Sequence, residues 1–128
     1  PTTLAEMKRV QTELGDLDSR VVFVFITVDP QRDTPERAQA YAGGFNQAFI
    51  GLSGSESDLE PVWQGYGVYR KIQDSESAAG YLVDHSARVY LVDTAGNLRV
   101  TYAYGTPVDD LVGDVRFLLK ETGDESGR

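Results

Sequence analysis

Apolar side chains recur every three or four positions at the start of the chain, which is the spacing of one face of a helix. Thr3 and Glu6 form a capping box, in which the two side chains satisfy the first free amides of a helix. Gly15 favours the end of the helix. We therefore predict a first helix from about Thr3 to Leu14. The apolar residues at this spacing are Leu4, Met7, Val10, Leu14 and Leu17.

An unbroken apolar and β-branched run from Val21 to Val28 follows this helix. Because the run does not alternate between apolar and polar residues, we predict a parallel strand that is buried on both faces. Asp29 and Pro30 end the strand, since proline has no amide hydrogen for the ladder. Thr34-Pro35 then predicts a second helix, with threonine as the cap and proline at the first helical position.

The rest of the chain predicts short strands and helices, followed by a hairpin and a last helix. The strand at Phe49–Leu52 precedes a helix that Ser55 or Ser57 caps and that buries Leu59, Val62, Trp63 and Tyr66. Later elements are a flexible loop at Gln73–Gly80, extended segments at Tyr81–Val83 and Arg88–Val92, a turn at Thr94–Asn97, a returning strand at Leu98–Tyr104 and a helix that begins at Thr106-Pro107.

This order of elements predicts an α/β domain with a mixed sheet and flanking helices, as in the thioredoxin-like architecture. We place the domain at residues 1–120 and predict a disordered tail at residues 121–128. In that architecture the first helix follows a central strand, whereas no strand precedes the helix here. We therefore expect these residues to lack the first central strand, and the strand Val21–Val28 to have one unpaired edge.

Charge and hydropathy argue against two classes of partner. Twenty acidic and twelve basic residues give a net charge of −8, which disfavours nucleic acid and anionic membrane surfaces. No apolar run approaches the roughly eighteen residues that a membrane helix needs. We therefore expect neither nucleic-acid binding nor direct membrane insertion by these residues.

The candidate chemistry is narrow because the chain has no cysteine and a single histidine, His85. These residues alone therefore offer no disulfide, zinc cluster or thiol nucleophile. A solitary histidine is more often solvated or hydrogen-bonded than bound to a metal. Asp29 ends the first strand at its carboxyl end, where α/β folds place their sites, and Asp84 directly precedes His85. Turn formation or solvation is the alternative role for both carboxylates.

Four segments, in this order along the chain, resemble the Sco/SenC family: Val28–Pro35 (VDPQRDTP), Phe49–Gly54 (FIGLSG), Tyr66–Tyr69 (YGVY) and Tyr81–Ser86 (YLVDHS). The opening residues Pro1–Leu4 are similar to the segment that directly follows the family's Cys-x-x-x-Cys. The resemblance extends from Pro1 to about Leu119, which is nearly the whole chain.

The resemblance implies a thioredoxin-like fold and a copper site formed by two loop cysteines and one distant histidine. His85 lies at the matching histidine position, on a loop that leads into the hairpin, and the two cysteines are expected upstream of Pro1. Cu(I) favours thiolates, while imidazole also tolerates Cu(II), so such a set can hold both states. Asp29 and Asp84 are the candidate carboxylates for orienting the ligands. Without the cysteines, we expect these residues to bind copper weakly and without redox selectivity.

The function implied by the resemblance is that of a metallochaperone rather than an enzyme. Sco/SenC proteins deliver copper, or reducing equivalents, to the Cu(A) site of cytochrome c oxidase. The expected partner is the oxidase subunit that carries Cu(A), or another copper chaperone. Family members are anchored to a membrane and face the periplasm or the mitochondrial intermembrane space, so the same localisation is expected for the full-length protein.

Two alternative functions stay open at this point. A thiol–disulfide reductase or thiol peroxidase on the same fold uses the upstream cysteines without metal. A cysteine-free homologue serves instead as a binding module. Two upstream cysteines separated by three residues favour copper, and separation by two residues favours dithiol redox chemistry. A gene that lacks cysteines ahead of Pro1 would favour the binding module.

Overall fold

The computed structural model describes residues 2–68, 70–74, 81–85 and 88–126, without the side chains of residues 2, 71–74, 81–85 and 123–126. The helices are α1 (Thr2–Leu14), α2 (Pro35–Gly43), α3 (Glu56–Gly65) and α4 (Val108–Ser126), with a 3-10 helix at Gly15–Arg20. The strands are β1 (Val24–Ile26), β2 (Ile50–Leu52), β3 (Arg70–Asp74), β4 (Tyr81–His85), β5 (Arg88–Val92) and β6 (Leu98–Ala103).

The chain divides into two compact units. One unit is Val24–Ser86, and the other combines Pro1–Phe23 with Ala87–Arg128. In the first, β1 pairs with β2 in parallel and β3 pairs with β4 antiparallel. In the second, β5 pairs with β6 antiparallel. Among the described residues, the strands form three separate two-stranded sheets, of which one is parallel and two are antiparallel.

The unit of residues 1–23 and 87–128 has its core where α1 and α4 meet the β5–β6 hairpin. Tyr102 lies in this core, and its hydroxyl donates to Asp114 Oδ2 at 2.6 Å. Burial, together with this hydrogen bond, raises the pKa of Tyr102 because both disfavour the phenolate. The buried members are Val10, Leu14, Tyr102, Val108, Leu111, Val112 and Val115.

In the unit of residues 24–86, helix α2 packs on one face of the β1–β2 pair. The predicted cap is confirmed, because Thr34 Oγ1 accepts the backbone N–H of Arg37 at 3.2 Å. Ala38 and Ala42 are buried on the inner side of the helix. A Cβ at Gly51 of β2 would lie 2.0 Å from the Ala38 carbonyl oxygen. The close approach of the helix to the strand therefore requires glycine at this position.

Strand β1 is shorter and less buried than the apolar run Val21–Val28 predicts. Helix α2 covers one face of the β1–β2 pair, and on the other face Val24 and Leu52 are 49% and 46% exposed. The prediction of burial on both faces is therefore wrong, because an apolar run does not specify a second covering layer. Among the described strands, β2 is the one bonded to β1, so the other edge of β1 is unpaired there, as expected.

A second hairpin forms where the sequence predicted a loop. In the antiparallel β3–β4 pair, Arg70 lies opposite His85 and Asp74 lies opposite Tyr81. The predicted loop at Gln73–Gly80 is wrong for Gln73 and Asp74, which belong to β3, while residues 75–80 lie outside the described residues. The polar sequence of this segment lacks the apolar alternation of a strand, and backbone pairing with β4 decides its structure instead.

Helix α4 begins just after Thr106-Pro107, as predicted, and continues to Ser126. The helix therefore passes residue 120, where we placed the end of the domain. The backbone of residues 121–126 is helical, and the helix includes Gly123, so this glycine does not end it. The domain boundary at residue 120 and the tail at residues 121–128 stay predictions. Residues 127 and 128 lie outside the described residues.

Candidate metal centre

The carboxyl end of β1 is organised around the hydroxyl group of Thr27. This side chain is 1% exposed, and it is the one polar side chain in the apolar run 21–28. Its hydroxyl donates to Asp33 Oδ2 at 2.6 Å and accepts the backbone N–H of Asp29 at 2.9 Å. Since a buried hydroxyl needs its hydrogen bonds, Thr27 fixes the direction in which the chain leaves the strand.

Asp29 is held at this edge by the loop that follows it. Its carboxylate Oδ2 lies 3.5 Å from Nε of Arg32, and the Asp29 side chain is only 14% exposed. The backbone N–H of Asp33 donates to the Asp29 carbonyl oxygen at 2.9 Å, and the Ser53 hydroxyl donates to the Asp33 carbonyl oxygen. The structure thus places Asp29 at the carboxyl end of β1, as its position in the sequence predicts.

Trp63 and Arg70 pack against the same end of β1. The Trp63 indole Nε1 donates to the Thr27 carbonyl oxygen at 3.0 Å, and the side chain is buried, which confirms its predicted place in the core. The Arg70 guanidinium lies 4.4 Å from the centre of the Trp63 ring, and its Nε donates to the Val28 carbonyl oxygen. Sequence reasoning missed both Thr27 and Arg70, although a single hydroxyl in an apolar run is a signal that points to Thr27.

His85 ends strand β4 and lies opposite Arg70 in the β3–β4 ladder. The prediction that His85 lies on a loop is wrong, because the backbone pairing with β3 extends as far as this residue. Asp84 lies opposite Lys71 in the same ladder. The side chains of Asp84 and His85 lie outside the described residues, as does Tyr69 of the YGVY segment, so the roles of Asp84 and His85 stay predictions.

The described side chains do not by themselves form a copper site. In the described part of the chain, no group of three or more histidine, cysteine, aspartate or glutamate residues could hold a metal ion. The sequence has no cysteine, and Cu(I) prefers soft sulfur ligands. The 128 residues therefore do not supply the sulfur ligands that Cu(I) prefers.

Comparison with known proteins identifies the family. The SCO1/SenC family profile matches residues 1–120. The chain belongs to the SCO1/SenC family. Among relatives of this SCO1/SenC chain, the SCO2-like protein RC0895 of Rickettsia conorii is 35% identical over 97 residues, which are 75% of this chain and 47% of that protein. The chain thus spans about half the length of the curated relatives it matches.

Solved structures of Sco proteins share the fold of this SCO1/SenC chain. The crystal structure of Arabidopsis thaliana ScoI with copper bound has a TM-score of 0.84 and 32% identity, and covers 94% of this chain and 75% of that one. Bradyrhizobium japonicum ScoI with copper bound has a TM-score of 0.80 and 30% identity, and covers 92% of this chain and 74% of that one. The fold is therefore a thioredoxin-like mixed α/β fold, as predicted.

Proposed function

We propose that this SCO1/SenC chain binds copper as part of a metallochaperone and that His85 supplies one ligand. Family membership and the two copper-bound relatives support copper as the metal. The observation that carries the proposal is the register of the only histidine. His85 lies opposite Arg70, whose side chain reaches the carboxyl end of β1. That end of a strand is where α/β folds bind their ligands.

The other ligands in this proposal are two cysteines upstream of Pro1. Thiolates hold Cu(I), and the imidazole lets the same set accept Cu(II). Asp29 is proposed to orient a ligand, because its carboxylate is held at the edge of β1 and carboxylates commonly fix the ring of a metal-bound histidine. Asp84 is the second candidate for such a role, since it directly precedes His85.

We propose further that the full-length protein delivers copper, or reducing equivalents, to the Cu(A) site of cytochrome c oxidase. The partner in that step is the oxidase subunit that carries Cu(A), or another copper chaperone. The proposed location is the extracytoplasmic face of a membrane, with the anchor outside these residues. None of the described helices is long and apolar enough to cross a membrane.

Copper titration of these 128 residues tests the need for upstream sulfur ligands. We expect that the chain cannot remove Cu(I) from a strong chelator, because one imidazole binds Cu(I) more weakly than the several soft ligands of such a chelator. His85→Ala should weaken the Cu(II) binding that remains, since it removes the only imidazole. Tight one-to-one Cu(I) binding by the unmodified chain would contradict the proposed ligand set.

A further inference from the structure

The β3–β4 hairpin carries His85, and the Arg70 side chain connects it to the rest of its unit. Within the described residues, β3 and β4 are paired only with each other. Arg70, at the first position of β3, is the one residue of this hairpin whose side chain the structure describes, and it makes two hydrogen bonds outside the hairpin. They reach the Val28 carbonyl oxygen, directly after β1, and the carboxylate of Glu56 in α3.

The Arg70 side chain is almost enclosed and held on several sides. It is 12% exposed, and its guanidinium lies over the Trp63 ring at 4.4 Å. Its Nη1 lies 3.0 Å from Glu56 Oε1, while Nη2 is buried without a hydrogen-bond partner among the described residues. Burying a guanidinium costs free energy unless its N–H groups make hydrogen bonds or its charge is paired. The Arg70 side chain is therefore stable only in positions that keep these contacts.

The three described contacts differ in how firmly they hold the guanidinium. The Glu56 side chain is 51% exposed, so its ion pair with Arg70 is screened by solvent and contributes little. The Trp63 ring is buried, and its own indole N–H is bonded to the Thr27 carbonyl oxygen at 3.0 Å. The contacts with Trp63 and Val28 therefore define where Arg70 lies. Lysine lacks the planar guanidinium group, which can stack on Trp63 and donate to the Val28 carbonyl oxygen at the same time.

Arg70 and His85 are opposite members of an antiparallel ladder, in which facing Cα atoms lie about 5 Å apart. We propose that Arg70 is a positioning residue that holds the β3–β4 hairpin, and with it His85, at the carboxyl end of β1. This inference rests on the proposed role of His85 as a copper ligand. Its structural part, the anchoring of the hairpin, can be measured without any metal.

The test compares four variants of the 128-residue chain by amide hydrogen exchange and by NMR of the single imidazole. We expect Arg70→Met to accelerate exchange of the β3–β4 amides about tenfold, with little effect on the α4 amides, and to shift the His85 ring signals. Arg70→Lys should not restore the exchange rates of the unmodified chain, because lysine keeps the positive charge but lacks the planar guanidinium group with its several N–H donors. Glu56→Gln should behave like the unmodified chain. Arg88→Met is the matched control, since Arg88 opens β5 and its guanidinium bonds to the exposed Thr101.

Unchanged β3–β4 exchange in both Arg70 variants would overturn the inference, and so would full rescue by lysine. The lysine variant also decides the case in which the methionine variant does not fold. Copper(II) chloride, added as a probe, tests the proposed function separately, because bound Cu(II) broadens the signals of a ligating imidazole. We expect broadening at His85 in the unmodified chain and weaker broadening in Arg70→Met. If the unmodified chain shows no broadening, the ligand proposal fails for these residues, while the exchange data still decide the role of Arg70.

Discussion

Gly51→Ala is expected to lower the free energy of unfolding by about 3 kcal/mol, because the new methyl group overlaps the backbone of α2. An added Cβ would lie 2.0 Å from the carbonyl oxygen and 2.4 Å from the carbonyl carbon of Ala38. Rotamer changes cannot relieve a contact with backbone atoms, so the helix must move away from β1–β2. That movement also disturbs Gln39, whose side-chain amide bonds to the backbone of Phe49 and Gly51. Urea denaturation followed by circular dichroism measures the loss.

Gly65→Ala is the matched control for the substitution at Gly51. A Cβ at Gly65 meets nothing within 4 Å. Because Gly65 is the last residue of α3, alanine should leave the stability unchanged or raise it by up to about 1 kcal/mol. A Gly51→Ala protein as stable as Gly65→Ala would show that α2 does not pack on β2 as closely as described.

Trp63→Ala is expected to lower the free energy of unfolding by about 4 kcal/mol. The substitution leaves a large cavity beneath α3, because the indole is 6% exposed. It also removes the hydrogen bond to the Thr27 carbonyl oxygen and the surface on which the Arg70 guanidinium lies. The carboxyl end of β1 should therefore loosen together with the β3–β4 hairpin. Hydrogen exchange resolves this local effect, and denaturation gives the total.

Two aromatic controls separate the contributions of Trp63. Trp63→Phe keeps most of the apolar volume but loses the indole N–H, so we expect a loss of about 1–2 kcal/mol. Phe117→Ala removes an aromatic ring that is 64% exposed on α4, and should change stability by no more than about 0.5 kcal/mol. Equal losses for Trp63→Ala and Phe117→Ala would contradict the placement of Trp63 in the core.

The starts of α2 and α3 were predictable from the sequence because their chemistry is local, whereas α1 already includes Thr2, so Thr3 lies inside that helix and not at its cap. Thr34 and Ser55 each accept a backbone N–H from the third residue after them, at 3.2 and 3.1 Å. The turn between β5 and β6 is similarly local, since the Asp93 carboxylate accepts the backbone N–H groups of Ala95 and Asn97. The hydrogen bond from Asn97 is the main reason that the pKa of Asp93 is lowered. These cap and turn hydrogen bonds join residues that are close in the sequence, so a short sequence motif can predict them.

The contacts around the candidate site were not predictable in this way because they join distant residues. Trp63 reaches Thr27 across 36 positions, and Arg70 reaches Val28 across 42. No period in the sequence specifies the register that places Arg70 opposite His85. His85 itself was singled out by its family resemblance and by being the only histidine, and Asp29 by its place after an apolar run. The resemblance therefore supplied the ligand candidate, and the structure supplied the contacts of Trp63 and Arg70 at the carboxyl end of β1.

Cu(I) affinity, measured by chelator competition, tests the copper proposal most directly when the chain is extended by the residues that precede Pro1 in its gene. The comparison is between the extended protein with His85 intact and the same protein with His85→Ala. We predict tight one-to-one binding, which the substitution weakens at least about 100-fold. Loss of a residue that only hydrogen-bonds a metal ligand can lower metal affinity by up to that factor, and loss of a ligand should lower it at least as much. Equal affinity in the two proteins would contradict the assignment of His85 as a copper ligand.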